Sequence, residues 1–174
     1  MQSRELGPEN GSLQVRTYRE GMASKAGHDL VIDVRSWRAT VALRTDSAPE
    51  GVVLTADPRS LRVRDGSGGA KPLTDKDRGE IAKNIDREVL GAQAIEFRST
   101  AIEHPGAGRL EVAGELSIAG TRRPIRFELT LGPEGGVRGT VPVTQSDWGV
   151  KPYTALMGAL KVRDDVEIVL DARL

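Results

Sequence analysis

A chain of 174 residues, 38% hydrophobic and 29% charged, has the length and balance of one globular domain. At this size it buries roughly 70% of its unfolded surface and needs no covalent or metal staple. The absence of cysteine excludes disulfides, thiolate metal sites and a cysteine nucleophile, while 25 basic residues against 25 acidic ones, interleaved in sign, deny a nucleic acid the basic face it requires. No window approaches the ~18 consecutive apolar residues of a membrane-spanning helix, and the opening MQSRELGPENGS lacks a signal-peptide core, so the expected location is the cytoplasm.

Residues 1–11 contain Gly7, Pro8, Asn10 and Gly11 with little apolar content and read as a flexible arm, which leaves 12–174 as a single domain. Period-two alternation begins at Leu13, Val15 and Thr17 and returns at Leu30, Ile32 and Val34. Its longest run is Trp37, Ala39, Val41 and Leu43 against Arg38, Thr40, Ala42 and Arg44, ended by the turn-rich segment 45–51. A shorter pair around Leu61 and Val63 follows, and then RDGSGGAKP at 64–72 reads as a flexible loop. Thr74 is placed to cap a helix with Asp75 and Asp77 in its first turn, and Ile81, Ile85 and Val89 recur at helical spacing until Gly91.

Beyond the helix, strands are expected at Ile95–Phe97, Leu110–Val112, Leu116–Ile118, Ile125–Leu131, Val137–Val143 and Val166–Leu170. Many short strands with one helix predict an all-β fold, an antiparallel sandwich or a barrel of about eight strands. One-sided alternation favours closure, because a sheet with one apolar face must curl on itself or find a second layer. The six aromatic residues, Tyr18, Trp37, Phe97, Phe127, Trp148 and Tyr153, offer little bulk to plug a barrel, which makes an apolar lumen plausible. A solid aliphatic core remains the alternative.

Catalytic signals are thin. His104 lies in a turn, EHPG, and His28 lies between a glycine and a strand, where its ring can close a bend by bonding to backbone. Ser24, His28 and Asp29 do not suit a triad, since neighbours on extended chain point to opposite faces, and neither a nucleophile elbow nor a phosphate loop is present. No catalytic residue and no metal site is assigned, so binding outranks catalysis.

Three segments then resemble one family. GMASKAGHDLVIDVRSWRATV at 21–41, GRLEVAGELSIAGTRRPIRFEL at 108–129 and SDWGVKPYTALMGALKVRDDVEIVLDA at 146–172 are similar to the YceI-like family of lipocalin-like, polyisoprenoid-binding barrels, as is AKNIDREVLGAQAIEFRS at 82–99. The hairpin at 114–124 is the most specific part. The resemblance implies a non-enzymatic protein that carries or stores an isoprenoid lipid in its barrel, often as a homodimer, with no cofactor besides that lipid. The tail would meet Trp37, Val41, Phe97, Leu116, Ile118, Phe127 and Trp148, with Met157 and Leu160 near one mouth, and a head group would meet Lys25, His28 or Lys151. A solid barrel serving as a protein-interaction or stress-response module is the competing expectation.

Overall fold

The computed structural model describes residues 2–158 and 160–174. In chain order the strands are β1 (Gln2–Leu6), β2 (Gly11–Thr17), β3 (Arg19–Glu20), β4 (His28–Val34), β5 (Trp37–Leu43), β6 (Pro49–Ala56) and β7 (Leu61–Gly68). After one helix, α1 (Asp75–Asn84), come β8 (Ile95–Gly106), β9 (Arg109–Ile118), β10 (Thr121–Leu131), β11 (Gly136–Thr144), β12 (Thr154–Ala155), β13 (Leu160–Val162) and β14 (Asp165–Arg173). Eleven of them form one antiparallel sheet in the order β1-β5-β6-β8-β9-β10-β11-β14-β2-β4-β7, and β12, β13 and β3 form a small second sheet.

The main sheet curls into a lipocalin-like barrel. Its two ends are joined by the chain itself: β1 runs into β2, β4 into β5 and β6 into β7, so each of these pairs is one ribbon bent at a common corner. The bends are tied together where the Arg35 N–H donates to the Ser60 carbonyl (3.2 Å) and the Asp57 N–H to the Ser36 carbonyl (2.9 Å). Five straight strands and three bent ribbons close the ring. The count of about eight expected from sequence therefore becomes eleven hydrogen-bonded strands in the main sheet, because the corner interrupts three ribbons without opening the barrel.

Two stretches expected to be loose are ordered. Residues 2–6 are not a flexible arm but pair with 39–43 of β5, and Leu6 is buried in the corner. The glycine-rich segment 64–72 is extended through Gly68, since β7 continues along β4 as far as the His28–Gly68 pair. Backbone pairing overrides weak local composition in both.

The helix begins where the sequence places it. The Thr74 hydroxyl accepts from the Asp77 N–H (3.2 Å) while the Asp77 carboxylate accepts from the Thr74 N–H (2.9 Å), a reciprocal capping box. Regular α geometry ends at Asn84, and Ile85–Val89 form one wider π turn in which the Leu90 N–H reaches the Ile85 carbonyl. Gly91, at φ 57°, ends it. Among the described residues no strand pairs with the outer side of β7, and α1 packs against it, with Ile81 of α1 and Ile85 and Val89 of the π turn towards the core.

The core is dense at the corner and in the lower barrel. Trp37, Ala39, Val41 and Leu43 of β5 are all buried, as their alternation predicted, together with Leu6, Val34, Ala56 and Leu61 around the bends. Phe97, Leu110 and Val112 form a second dense cluster across β8 and β9.

Candidate ligand cavity

Beside that packed region the barrel is hollow. A cavity of about 490 Å3 runs between the sheet and α1, lined almost wholly by Leu, Ile, Val and Phe side chains. The inward row of β9 crosses the boundary: Leu110 (3% exposed) and Val112 (2%) are close-packed, whereas Leu116 and Ile118 further along are only partly buried and line the cavity. The same face of one strand thus passes from solid core to lumen.

Phe97 of β8 and Phe127 of β10 meet on its wall over the intervening β9, with ring centroids 5.3 Å apart, and the lining continues past them to Leu129, which pairs with Leu110. Val34, Ala56 and Leu61, each adjoining a ribbon bend, close the cavity at the corner. The opposite end is the mouth. Here the small sheet of β3, β12 and β13 brings Arg19, Leu160, Lys161 and Val162 to the lining, and His28 and Tyr153 join them.

The mouth is held by polar contacts. Arg19 stitches it together: its backbone N–H donates to Asp29 Oδ1 (2.9 Å), and its Nη1 donates to the carbonyls of Gly27 and Ser67. Its Nε stands 3.8 Å from Asp29 Oδ1. Gly68 is glycine for this reason, since its φ is 80° and a Cβ there would overlap the Arg19 guanidinium. The His28 Nε2–H donates to the Lys71 carbonyl (2.8 Å) and so closes the 69–73 loop over β4. Tyr18 anchors the small sheet, with its hydroxyl donating to Glu167 Oε2 (2.8 Å), its carbonyl accepting from the Arg163 N–H and its ring lying 5.8 Å from the Arg163 guanidinium. The hydrogen bond to Glu167, with burial, holds the Tyr18 phenol above its usual pKa, so it remains a proton donor.

Of the residues singled out from sequence, Phe97, Leu116, Ile118, Phe127 and Leu160 line the cavity, and His28 lines its mouth. The others lie elsewhere. Trp37 and Val41 belong to the packed core at the corner, on the expected face of β5 but not among the lining residues. Trp148 is buried beside Val143 and Val166 and donates its Nε1–H to the Leu116 carbonyl (2.8 Å), which pins the 145–148 turn to β9 from outside the lining. Met157 is fully exposed, and Lys25 and Lys151 are exposed away from the lining. Sequence reasoning missed Arg19, although it continues by steps of two the inward row Leu13, Val15 and Thr17. It also missed Lys161, between the lining residues Leu160 and Val162, for which so short a strand carries no periodic signal.

Among the described residues, no group of three or more His, Asp or Glu converges as a metal site would require. No helix among them is long and apolar enough to cross a membrane. The fold is a lipocalin-like β-barrel with a largely apolar cavity. The chain belongs to the YceI-like domain family, which matches residues 19–174. Its fold is shared by the crystal structure of Burkholderia cenocepacia BcnA, with a TM-score of 0.67 and 17% identity over 92% of this chain and 94% of that one. It is shared also by a Campylobacter jejuni YCEI protein, with a TM-score of 0.60 and 13% identity over 82% of each chain. No curated protein matches the chain in sequence.

Proposed function

We propose that the protein is a non-enzymatic binding protein that carries or stores a polyisoprenoid or similar long-chain lipid in its barrel. The observation that carries this reading is the cavity of about 490 Å3 with a mostly aliphatic lining and the polar side chains Arg19, His28 and Lys161 at its mouth. Such a space takes an apolar chain end-on, since water gains almost no hydrogen-bonding partner inside it while hydrocarbon gains burial at roughly 25 cal/mol per Å2. A head group would remain at the rim, beside Arg19, His28 and Lys161. Membership of the YceI-like family supports the same reading.

Native mass spectrometry of the purified protein, followed by solvent extraction, tests it. A co-purifying isoprenoid, or a mass shift on adding a prenyl alcohol, is the expected result. A clean apo mass that no prenyl alcohol or fatty acid shifts would overturn it in favour of a barrel that serves as an interaction module.

A further inference from the structure

Apart from Val53 on β6, the large apolar side chains that the described residues leave in water gather at one place. Met22 and Met157 are fully exposed and Tyr153 is 47% exposed, and all three flank the small sheet at the mouth. Met22 lies between β3 and the turn 24–26, and that turn is seated on β13, since Gly27 at its end lies against the Leu160 side chain. Tyr153 lines the mouth just before β12, and Met157 lies between β12 and β13. Met157 is held at φ 54°, a strained backbone for a side chain left wholly in solvent.

The lysines follow the same distribution. Lys25, Lys71, Lys151 and Lys161 stand on the turn 24–26, the 69–73 loop, the segment before Tyr153 and β13, and Lys76 and Lys83 are on α1, which borders the cavity. None is on a strand of the main sheet, whose basic residues, histidines aside, are all arginine. Glu20 is paired with Lys161 (3.7 Å) and Asp29 with Arg19 (3.8 Å), whereas Lys25, Lys71 and Lys151 enter no ion pair among the described residues.

We propose that this rim docks on an anionic lipid bilayer: Met22, Tyr153 and Met157 enter the interface, Lys25, Lys71 and Lys151 meet lipid phosphates, and the mouth opens onto the membrane. The inference rests on the lipid-binding reading and deepens it by naming the surface at which a ligand enters or leaves. Single apolar tips on separate segments suit a bilayer, which each can enter independently, better than a protein partner, whose interface core needs a contiguous apolar patch. Lysine suits the same surface, since its stem lies along apolar material while its ammonium reaches a phosphate. Each lysine so placed contributes about a factor of five in affinity for an anionic membrane, and insertion of each methionine about a factor of ten.

Vesicle flotation in a density gradient tests this, with vesicles of equimolar phosphatidylcholine and phosphatidylglycerol and vesicles of phosphatidylcholine alone. The protein should partition onto the anionic vesicles at least about fivefold better, and raised salt should release it. Met22→Ser with Met157→Ser, at two exposed sites, should cut partitioning at least about tenfold, and Lys25→Gln with Lys151→Gln at least about fivefold. Arg138→Gln, an exposed cation near the other end of the barrel, should leave it unchanged. No flotation with either vesicle would overturn the proposal, as would anionic binding that the methionine and lysine variants keep in full. Equal flotation with both vesicles would overturn the anionic partner. Prenyl alcohol taken up from detergent, read by native mass spectrometry, keeps the two readings apart: uptake without flotation removes the docking surface alone, and flotation without uptake removes the lipid cavity alone.

Discussion

Phe97 of β8 and Phe127 of β10 meet over β9, the strand between them, their centroids 5.3 Å apart and their planes inclined at 55°, and Phe97 lies directly over Gly114 of β9. This arrangement requires glycine at 114. A Cβ there would come within 2.6 Å of the Phe97 ring and press on the Arg98 carbonyl. The missing side chain of one strand is therefore what lets the tilted aromatic pair pack onto the wall of the cavity.

Gly114→Ala should accordingly destabilise the protein by about 1–3 kcal/mol, the usual range for overpacking a dense core. Urea unfolding checks this, and a midpoint equal to that of the wild type would mean that the ring has room to move aside.

Tryptophan scanning distinguishes the hollow half from the solid half. Leu116→Trp places its new volume in the lumen and should abolish uptake of a fifteen-carbon prenyl alcohol while leaving the melting temperature within a few degrees of wild type. Val41→Trp, at a site 5% exposed in the packed corner, should lower stability by at least 1–3 kcal/mol. Thermal melts and native mass spectra of the two variants should therefore change in opposite ways.

The two indoles make a second contrast. Trp148 donates to the Leu116 carbonyl, whereas the buried Trp37 Nε1 has no partner among the described residues. Replacement by phenylalanine trims both rings alike, but only Trp148→Phe breaks a hydrogen bond and leaves a part-buried carbonyl short of a donor. It should cost about 1–2 kcal/mol more than Trp37→Phe, measured as the difference between their unfolding free energies.

Acid should loosen the corner. Asp57 accepts from the Arg59 side chain and from the Arg59 N–H (2.9 Å), and these contacts hold its carboxyl below the usual pKa. A lowered folded pKa gives stability that is fully present above the unfolded value of about 4 and is lost as pH falls through the folded value. Asp57→Asn should lower the melting temperature at pH 7 and flatten its decline below about pH 4. Melting curves between pH 2 and 7 test this, and parallel profiles for variant and wild type would show that Asp57 does not couple protonation to the bend.

Much of the barrel was legible because alternation reports which face of a strand is apolar. Trp37, Ala39, Val41 and Leu43 point inward as read, and the helix starts at its Thr74 cap and stops at Gly91. Depth along the barrel left no such trace. Trp37 and Val41 share the inward face with cavity-lining residues, yet both are packed into the core at the corner. The order of residues 2–6 was equally hidden, since their pairing partner lies at 39–43 and only the closed ribbon brings it near.

By itself, then, the sequence determined the class of fold and the inward rows, because period-two patterning and end-capping are local properties that act wherever the chain goes. Tertiary structure alone decided where those rows enclose space and where they fill it. That division depends on side chains meeting from strands far apart in the chain, Phe97 with Phe127 and Val34 with Leu61 beside the bends, and on a glycine at 114 that leaves room for one of them. A volume between such groups exists only after the ring has closed.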